Sequence, residues 1–472
     1  MKKLILTIWA GAAGLVAQAQ SNELSFSQNG NGNQASTVTQ KGTGNTGSIT
    51  VVGGNNSVYF TQQGTANLGT LSITGNGNVG TIQTYGSASE ATLTQIGDNN
   101  TGTVKTYSYY SNEHNQASVV QTGNNNVGSA SSTYGRVANV TQTGDNNIGS
   151  ASSGYAGPSS VTQTGNNNKA IAALPSEITQ TGDDNYAAVY PHASFSATQP
   201  SYIVQTGNNN HVSESAYDPR VVTPGLNIAQ AGDNNYVHST SFAYTNDNAM
   251  NVTQEGNNNR SEAYFGIFAE RNEANMTQKG DNNRGEARFS YAGGRQADLI
   301  QIGDNNYGTF SNGGSITQTG DDNRGSVTEG GVNNQKQVSL TQTGDANQGY
   351  VSSGTQSEAI LTQTGDANYA KLTSYGSDNQ IVLTQTGDNN VSRLLQKGVQ
   401  RYYGGEFNTA TNAQNGSGNA LIGLDSSSPD FAAQQSGVSN SFSLIQSGDG
   451  NMLQFGQVGN GNSATITQGP LN

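Results

Sequence analysis

The side chains of this sequence whose type and spacing could do chemistry are amides. The motif Gln-x-Gly-x-x-Asn recurs 21 times between Gln28 and Asn462, and the segment from Gln142 to Asn147 is a clean copy. A primary amide donates and accepts hydrogen bonds, so identical amides stacked one above another can form a ladder. Buried singly, the same amides would be costly. The spacing therefore predicts self-complementary hydrogen bonding between repeats.

Signals for catalysis are poor. The four His residues are scattered, and none stands in a His-Glu-x-x-His or comparable metal-binding spacing. The acidic residues repeat along the chain and do not form one convergent pair, so acid–base catalysis is unsupported. There is no Cys, which excludes disulfides and thiol chemistry. We expect neither an enzyme nor a bound cofactor or metal.

An Asp often follows the motif Gly directly, as at Asp145, Asp345 and Asp366. If the repeats stack, these residues form a column of oxygens that could bind Ca²⁺. The spacing does not match the calcium-binding nonapeptide repeat. The alternative is that the Asp residues keep the turn soluble and slow premature aggregation by repulsion of like charges.

The residues before each Gln predict a β-strand. The position two residues before the Gln is almost always apolar, as Val140 is before Gln142, and period two with β-branched residues indicates one buried face. The Gln shares that parity and should point inward, whereas Thr141 and Thr143 should point outward. Gly-x-x-Asn predicts a tight turn in which Gly permits positive φ and Asn tolerates a left-handed conformation. A second alternating segment follows.

One strand–turn–strand unit cannot bury its face alone, but stacked copies can, at ~4.8 Å per layer. The composition agrees, because hydrophobic residues make up 32% of the 472 positions, against a usual ~45–50%. The sequence predicts an all-β fold, a β-solenoid of stacked strand–turn–strand repeats with two facing parallel sheets. The net charge of −13 argues against nucleic acid as a partner.

The chain is predicted to have six parts. Residues 1–19 read as a secretory signal peptide, with Lys2-Lys3, an apolar stretch too short to span a membrane, and Ala17-Gln18-Ala19 as the cleavage site. No later segment could cross a membrane as a helix. The remaining parts are a solenoid with an 11-residue beat over 20–100, a solenoid with variable Tyr-rich loops on one edge over 101–345, a solenoid over 346–400, a degenerate repeat or linker over 401–430, and C-terminal solenoid repeats over 431–472.

The motif from Gln457 to Gln468, written Gln-x-Gly-x-x-Asn-x-Ala-x-x-x-Gln, resembles the repeat of the curlin family, the subunits of curli amyloid fibres. The resemblance covers roughly Ser21 to Gln468. This chain is several times longer than short curlins, carries large loops on one edge, and mostly lacks the Gln of the second strand, as at Ser132 and Ser153.

The resemblance implies a secreted structural subunit of extracellular curli-like amyloid fibres, found in biofilm matrix and cell adhesion at the surface of a Gram-negative bacterium. Its implied partners are other copies or curlin-like subunits, an outer-membrane export channel and a nucleator. Inward amides would carry assembly. The predicted ladder residues are Gln28, Gln40, Gln142, Gln163, Gln342, Gln363, Gln385, Gln446, Gln457, Gln468, Asn147, Asn168, Asn347, Asn368, Asn451 and Asn462, and the predicted turn residues are Gly144, Gly165, Gly344, Gly365, Gly448 and Gly459.

Two alternatives stay open at this point. The chain could be a monomeric solenoid adhesin that binds a ligand through its Tyr-rich loops. It could also bind ice, because Thr-Gln-Thr recurs, as at Thr141–Thr143 and Thr362–Thr364, and stacked Thr-x-Thr strands resemble the flat face of β-solenoid ice-binding proteins. The high β-propensity of Thr on an exposed face is a simpler explanation of that pattern.

Overall fold

A computed structural model shows how the repeats stack. It describes residues 4–7, 15–18, 21–107, 114–154, 157–173, 175–190, 200–216, 225–242, 248–266, 271–289, 293–328, 338–354, 357–375, 379–397, 408–423 and 433–469. In this part of the chain all regular secondary structure is β-strand. By internal contacts the chain divides into two units, Met1–Asn234 and Asn235–Asn472.

In the first unit, successive strands alternate between two sheets. The first sheet holds β1 (Leu4–Thr7), β3 (Glu23–Asn29), β5 (Thr46–Val52), β7 (Leu68–Thr74), β9 (Glu90–Ile96), β11 (Gln116–Thr122), β13 (Val137–Thr143), β15 (Ser159–Thr164), β17 (Ser176–Thr181), β19 (Ser201–Thr206) and β21 (Gly225–Ala231). The second sheet holds β2 (Leu15–Gln18), β4 (Gln34–Thr43), β6 (Ser57–Thr65), β8 (Val79–Ser87), β10 (Thr101–Tyr107), β12 (Val127–Thr133), β14 (Ile148–Ser153), β16 (Lys169–Ala173), β18 (Tyr186–Val189) and β20 (His211–Ala216).

The second unit follows the same plan. Its first sheet holds β23 (Ala249–Glu255), β25 (Glu273–Lys279), β27 (Gln296–Ile302), β28 (Gly314–Thr319), β29 (Val338–Thr343), β31 (Glu358–Thr364), β33 (Gln380–Thr386), β35 (Thr409–Asn415), β38 (Ser441–Ser447) and β40 (Ser463–Gln468). Its second sheet holds β22 (Tyr236–Ser241), β24 (Arg260–Phe265), β26 (Arg284–Phe289), β30 (Gln348–Tyr350), β32 (Tyr369–Tyr375), β34 (Val391–Lys397), β36 (Ala420–Gly423), β37 (Ala433–Ser436) and β39 (Met452–Val458).

All the pairings between these strands are parallel, and they join strands one layer apart. Gln121 on β11 pairs with Gln142 on β13, and Val119 pairs with Val140, so equivalent positions of each repeat lie in register. Between β26 and β30 the second sheet continues through single parallel bridges at Tyr307 and Arg324. Parallel strands alternating between two facing sheets are a β-solenoid, which confirms the predicted all-β fold class.

The core lies between the two sheets. Val140 and Gln142 of β13 are buried, whereas Thr141 and Thr143 are exposed, as the alternation predicts. Residues just after the turn are small because the opposite sheet reaches them. A Cβ added to Gly128 would lie 2.7 Å from Cγ1 of Val119 and 3.0 Å from Nε2 of Gln121. The core is therefore thin, with room for one layer of side chains from each sheet.

Part of the segment predicted to be a degenerate repeat or linker, 401–430, has the repeat structure. Within it, β35 pairs in register with β33 and β38, and β36 pairs with β34 and β39. Strand β37 pairs with the same two neighbours as β36. One layer of the second sheet is thus built from two strands, β36 and β37, that are separated in sequence.

Candidate functional site: the stacked amide ladders

The inward Gln side chains form continuous hydrogen-bonded ladders within each unit. Nε2 of Gln142 donates to Oε1 of Gln163 at 2.9 Å, and Nε2 of Gln342 donates to Oε1 of Gln363 at 2.9 Å. In the first unit the ladder runs through Gln95, Gln121, Gln142, Gln163, Gln180, Gln205 and Gln230. In the second unit it runs through Gln254, Gln278, Gln301, Gln318, Gln342, Gln363, Gln385, Gln414, Gln446 and Gln468.

The second N–H of each amide crosses the core. Nε2 of Gln142 also donates to the carbonyl oxygen of Val127 at 3.1 Å, and Nε2 of Gln163 does the same to Ile148 at 3.1 Å. These carbonyls belong to the first residue of the facing strand. Each Gln thus uses both donors and its acceptor, so burying it does not leave polar atoms unpaired.

The ladders have a direction. In every described pair the Gln nearer the N-terminus donates from Nε2, and the Gln nearer the C-terminus accepts at Oε1. A Gln whose neighbour in the preceding layer is not a Gln can therefore be left with an acceptor that has no partner. Oε1 of Gln95 and Oε1 of Gln396 are buried and unpaired, because their neighbours one layer before are Ile73 and Ser374.

Asn side chains form a second ladder along the turn. The backbone N–H of Asn168 donates to Oδ1 of Asn147 at 3.0 Å, and Nδ2 of Asn147 donates to the carbonyl of Gly165 at 2.7 Å. Asn347 makes the same two contacts, with Asn368 and Gly365. Both functional groups of this side chain are directed at the next layer, so the Asn clamps one turn onto the following one.

The turn requires Gly for two separate reasons. Gly144 has φ of 111°, and a Cβ there would lie only 2.1 Å from the carbonyl oxygen of Gly165 in the next layer. The left-handed residue of the turn is Asn146, with φ of 59°. The prediction that the motif Asn is the left-handed residue is therefore wrong. Asn147 is instead buried with its side chain in the ladder, and the αL position tolerates even Ala367.

The structure places the predicted ladder residues in more than one ladder. Gln28 lies on the first sheet, where its neighbour in register is Val51, and its Nε2 donates to the carbonyl of Asn33 at 3.0 Å. Gln40 lies on the second sheet and donates to Gln62 at 2.7 Å. Gln457 also lies on the second sheet, opposite the ladder that ends at Gln468.

The remaining predicted residues lie where the motif places them. Gln142, Gln163, Gln342, Gln363, Gln385 and Gln446 are buried in the first-sheet ladders. No layer follows Asn451 or Asn462 among the described residues. Nδ2 of Asn451 donates to the carbonyl oxygen of Ser447 at 3.0 Å, and Nδ2 of Asn462 donates to the carbonyl oxygen of Val458 at 3.2 Å. All six predicted turn residues have positive φ: Gly144, Gly165, Gly344, Gly365, Gly448 and Gly459.

Sequence reasoning missed two groups of ladder residues. Gln396 is buried and donates to Gln435 at 2.8 Å, which in turn donates to Gln457 at 2.9 Å. Its signal was a Gln two residues before Gly398, without the Asn that completes the motif. Asn residues at the variable edge also stack, as when the backbone N–H of Asn272 donates to Oδ1 of Asn248 at 2.9 Å. Their only signal is an Asn directly before a first-sheet strand.

The Asp that follows the turn Gly has a structural task. Oδ1 of Asp145 accepts the backbone N–H of Asn124 at 2.7 Å, and Oδ1 of Asp321 accepts that of Asp304 at 2.8 Å. Asn does the same work in other layers, since Oδ1 of Asn166 accepts from Asp145 at 2.9 Å. Within the described ranges there is no group of three or more His, Asp or Glu side chains arranged to hold a metal ion.

Two described His residues contact neighbouring side chains. His211 stacks on Tyr186 with ring centroids 4.6 Å apart, and His238 contacts Oγ1 of Thr240 at 3.0 Å. His192 and most of the Tyr-rich loops predicted to bind a ligand lie outside the described residues. The part of the chain that the structure covers contains no helix with the length and apolarity needed to cross a bilayer.

Comparison with known proteins gives one family. Residues 354–387 match the family model described as the Curlin associated repeat. This stretch contains β31 and β33 and the ladder pair Gln363–Gln385. No curated protein matches the chain in a sequence search.

Proposed function

From the match of residues 354–387 to the Curlin associated repeat and from the stacked amide ladders, we propose that the chain is a secreted structural subunit of curli-like extracellular amyloid fibres. It would contribute to a biofilm matrix and to cell adhesion, without enzymatic activity. Copies of the chain would join end to end by strand addition. The family resemblance supplies the accompanying partners, an outer-membrane export channel and a surface nucleator.

The observation that carries this proposal is that the last described layer, which contains β40, is only partly buried and has an unpaired strand edge among the described residues. Strand β40 pairs with β38 on one side only among the described residues. Its inward residues Ala464, Ile466 and Gln468 are half-buried, whereas the equivalent residues of β38 are at most 1% exposed. A further layer would bury this apolar surface and pair the free strand edge.

The direction of the ladders supports head-to-tail joining. Gln468 accepts from Gln446 at 2.7 Å and donates to the carbonyl of Met452 at 3.1 Å, which leaves one Nε2 hydrogen. Gln28 lies on β3 of the first sheet, where the strand before it is β1, and β1 has no residue in register with Gln28 and is absent from a mature chain of residues 20–472. If a second copy places its β3 on β40, Oε1 of its Gln28 lies opposite the remaining Nε2 hydrogen of Gln468.

The proposal is tested by growing assemblies from the mature chain, residues 20–472, at neutral pH without denaturant. We expect amyloid-dye fluorescence that rises with a lag, a lag that added seeds abolish, and fibre diffraction at ~4.7 Å and ~10 Å. Replacing Gln446, Gln457 and Gln468 with Ala should slow elongation. A stable β-rich monomer that never seeds would refute the proposal.

A matched control is Thr467→Ala. Thr467 lies on β40 beside Gln468 but points outward and is exposed. It removes a side chain of the same strand without touching the ladder, so elongation should be unchanged. If the control slows growth as much as the Gln variants do, the ladder is not the assembly element.

A groove in the first unit favours a second candidate function, a monomeric adhesin. The groove encloses about 490 Å³ and is lined by Pro158, Pro175, Pro200 and Tyr202 among others. Tyr202 is 49% exposed there, beside the loop edge of the solenoid. Deleting loop residues between Gln180 and Gln301 separates the candidates, because fibre growth should survive the deletion whereas loop-dependent adhesion should not.

A further inference from the structure

The second unit carries two charged stripes that run side by side along its turn edge. The acidic stripe consists of the Asp that follows the turn Gly in six consecutive layers: Asp281, Asp304, Asp321, Asp345, Asp366 and Asp388. The basic stripe lies at the start of the second-sheet strands and consists of Arg260, Arg284 and Arg324, with Tyr307 in the same column. In one layer the two stripes are three residues apart, as Asp321 and Arg324 are.

The basic stripe is displayed towards solvent. The side chains of Arg260 and Arg284 are 47% and 46% exposed, and the carboxylates that pair with them, Glu262 and Glu286, lie beneath at 5% and 4%. Arg260 is also held over the ring of Tyr236 at 4.7 Å. Arg324 is exposed and takes part in no ion pair among the described residues. The cations are thus positioned without being fully neutralised.

The carboxylates of the acidic stripe repel one another along the stack. Each Asp uses Oδ1 to accept one backbone N–H of the preceding layer, as Asp345 does from Asp321 at 2.8 Å. Its side chain is otherwise exposed, and the next carboxylate lies one layer away, ~4.8 Å along the stack. In the first unit the same column alternates Asp145, Asn166 and Asp183, which spaces the charges by two layers. Among the described layers, only the second unit has Asp in six consecutive layers of this column, with Asn257 before them and Ser417 after them.

We propose that this pair of stripes is a lateral contact surface for a second copy of the chain. A copy turned by 180° about an axis parallel to the stacking direction places its acidic stripe opposite the basic stripe of the first, and the reverse. Both stripes follow the spacing of the layers, so one placement of the copy matches both layers that hold an Asp and an Arg, the layer of Asp281 and Arg284 and the layer of Asp321 and Arg324. In the first unit the same column reads Val127, Ile148, Lys169 and Tyr186, so it has one cation in these four layers and no repeated basic partner.

The strength of the contact depends on the number of layers that meet. An exposed ion pair changes an equilibrium constant by about 1.4-fold to 5-fold. Arg284 and Arg324 from both copies make four such pairs, which together give about 4-fold to several hundred-fold. Single chains would therefore pair only transiently, and chains already stacked end to end would pair stably because the contacts add. The inference goes beyond end-to-end assembly and is compatible with it.

The test uses the mature chain at low ionic strength. Lateral association is followed by electron microscopy of assembled material and by sedimentation velocity of unassembled chain at high concentration, so that it is measured whether or not fibres form. We expect association that is lost at about 1 M salt, where the screening length falls to ~3 Å. Association that persists at high salt, or its absence at low salt in both measurements, would overturn the proposal.

The variants are taken from residues that the fold already uses at the same positions. Asp281→Asn with Asp321→Asn keeps the Oδ1 acceptor, as Asn166 shows. Arg284→Gln with Arg324→Gln places Gln where the basic column already has Gln348. Each pair of changes removes all four ion pairs, so lateral association should weaken by about 4-fold to several hundred-fold. The Asp variants should at the same time melt no lower than the parent, because they relieve repulsion.

Two controls make the assignment specific. Arg288→Gln removes one positive charge at an Arg that is 61% exposed but lies outside the stripe, and it should weaken lateral association far less than Arg324→Gln alone. A chain with Arg284→Glu and Arg324→Glu should associate laterally only when mixed with a chain carrying Asp281→Lys and Asp321→Lys. Failure of the mixture to associate, or association that requires added Ca²⁺ and is removed by a chelator, would show that the stripes do not bind each other.

Discussion

Glu214 gives the sharpest prediction about stability. It lies on β20 directly after Ser213, which pairs with Ala188 of β18, and so follows the column of inward positions that holds Ala151 and Ala172 in other layers. The side chain is buried, and neither carboxyl oxygen has a hydrogen-bond partner among the described residues. Burial raises the pKa of Glu214 from 4.5 to about 8, because the core disfavours the charged form.

The sign and size of the effect follow from proton linkage. Between pH 4.5 and about 8 the folded layer holds a proton that the unfolded chain releases, so stability falls as the pH rises. Each pH unit in this window costs about 1.4 kcal/mol. Glu214→Gln keeps the shape without the charge. Relative to the parent, we expect it to be neutral at pH 4 and more stable by about 3 kcal/mol at pH 7.

The assay is native-state hydrogen exchange of the β18 and β20 amides from pH 4.5 to 8.5, because a long repeat array does not unfold in one step. Glu177→Gln, an exposed Glu on β17, is the control and should give no pH-dependent difference. A difference between Glu214→Gln and the parent that does not change with pH would refute the reasoning. So would a carboxyl titration of Glu214 near pH 4.5 in the folded chain.

Three further predictions rest on single contacts. Gly144→Ala should lower the melting temperature by several degrees, because the added Cβ would lie 2.1 Å from the carbonyl oxygen of Gly165 in the next turn. Gly459→Ala should lower the melting temperature less, because no such carbonyl lies near that position. Equal effects of the two changes would contradict the close approach. Gln163→Leu leaves Nε2 of Gln142 and Oε1 of Gln180 without their ladder partner and removes a hydrogen bond to the carbonyl of Ile148. It should increase amide exchange in the adjacent layers by an amount worth at least about 2–6 kcal/mol, and Thr162→Ala is the outward control. The pKa of Tyr186 is raised to about 12 by burial and by its hydrogen bond to Tyr190, so an ultraviolet titration should show its tyrosinate forming only near that pH.

Much of the fold was predictable because its signal is local. Alternation of apolar and polar residues before each Gln needs only the period of two of a strand, and it correctly placed Val140 and Gln142 inside and Thr141 outside. The repeated Gly-x-x-Asn then marked the turns. A polar residue that recurs at a core position can be satisfied only by its own copies, so the amide ladder also followed from the repeat itself.

Assignment of each amide to a ladder was not available from the sequence. Gln28 and Gln40 carry the same motif, yet they stand on opposite sheets, because 11 residues take the chain halfway round a layer and about 22 take it fully round. Where a loop changes the length of a layer, register depends on pairing between strands that are distant in sequence. For the same reason Gln396, which lacks the motif Asn, joined a ladder that the pattern did not predict.

The sequence by itself therefore determined the strand–turn–strand unit, the inward amides and the β-solenoid class, since these depend on neighbours within a few residues. Only the tertiary structure decided the direction of the ladders, the double reason for Gly at Gly144 and the placement of a lone carboxyl at Glu214. It also placed Asp321 and Arg324 in parallel stripes. Each of these depends on which atoms of the next layer lie ~4.8 Å away, and that contact is set by stacking.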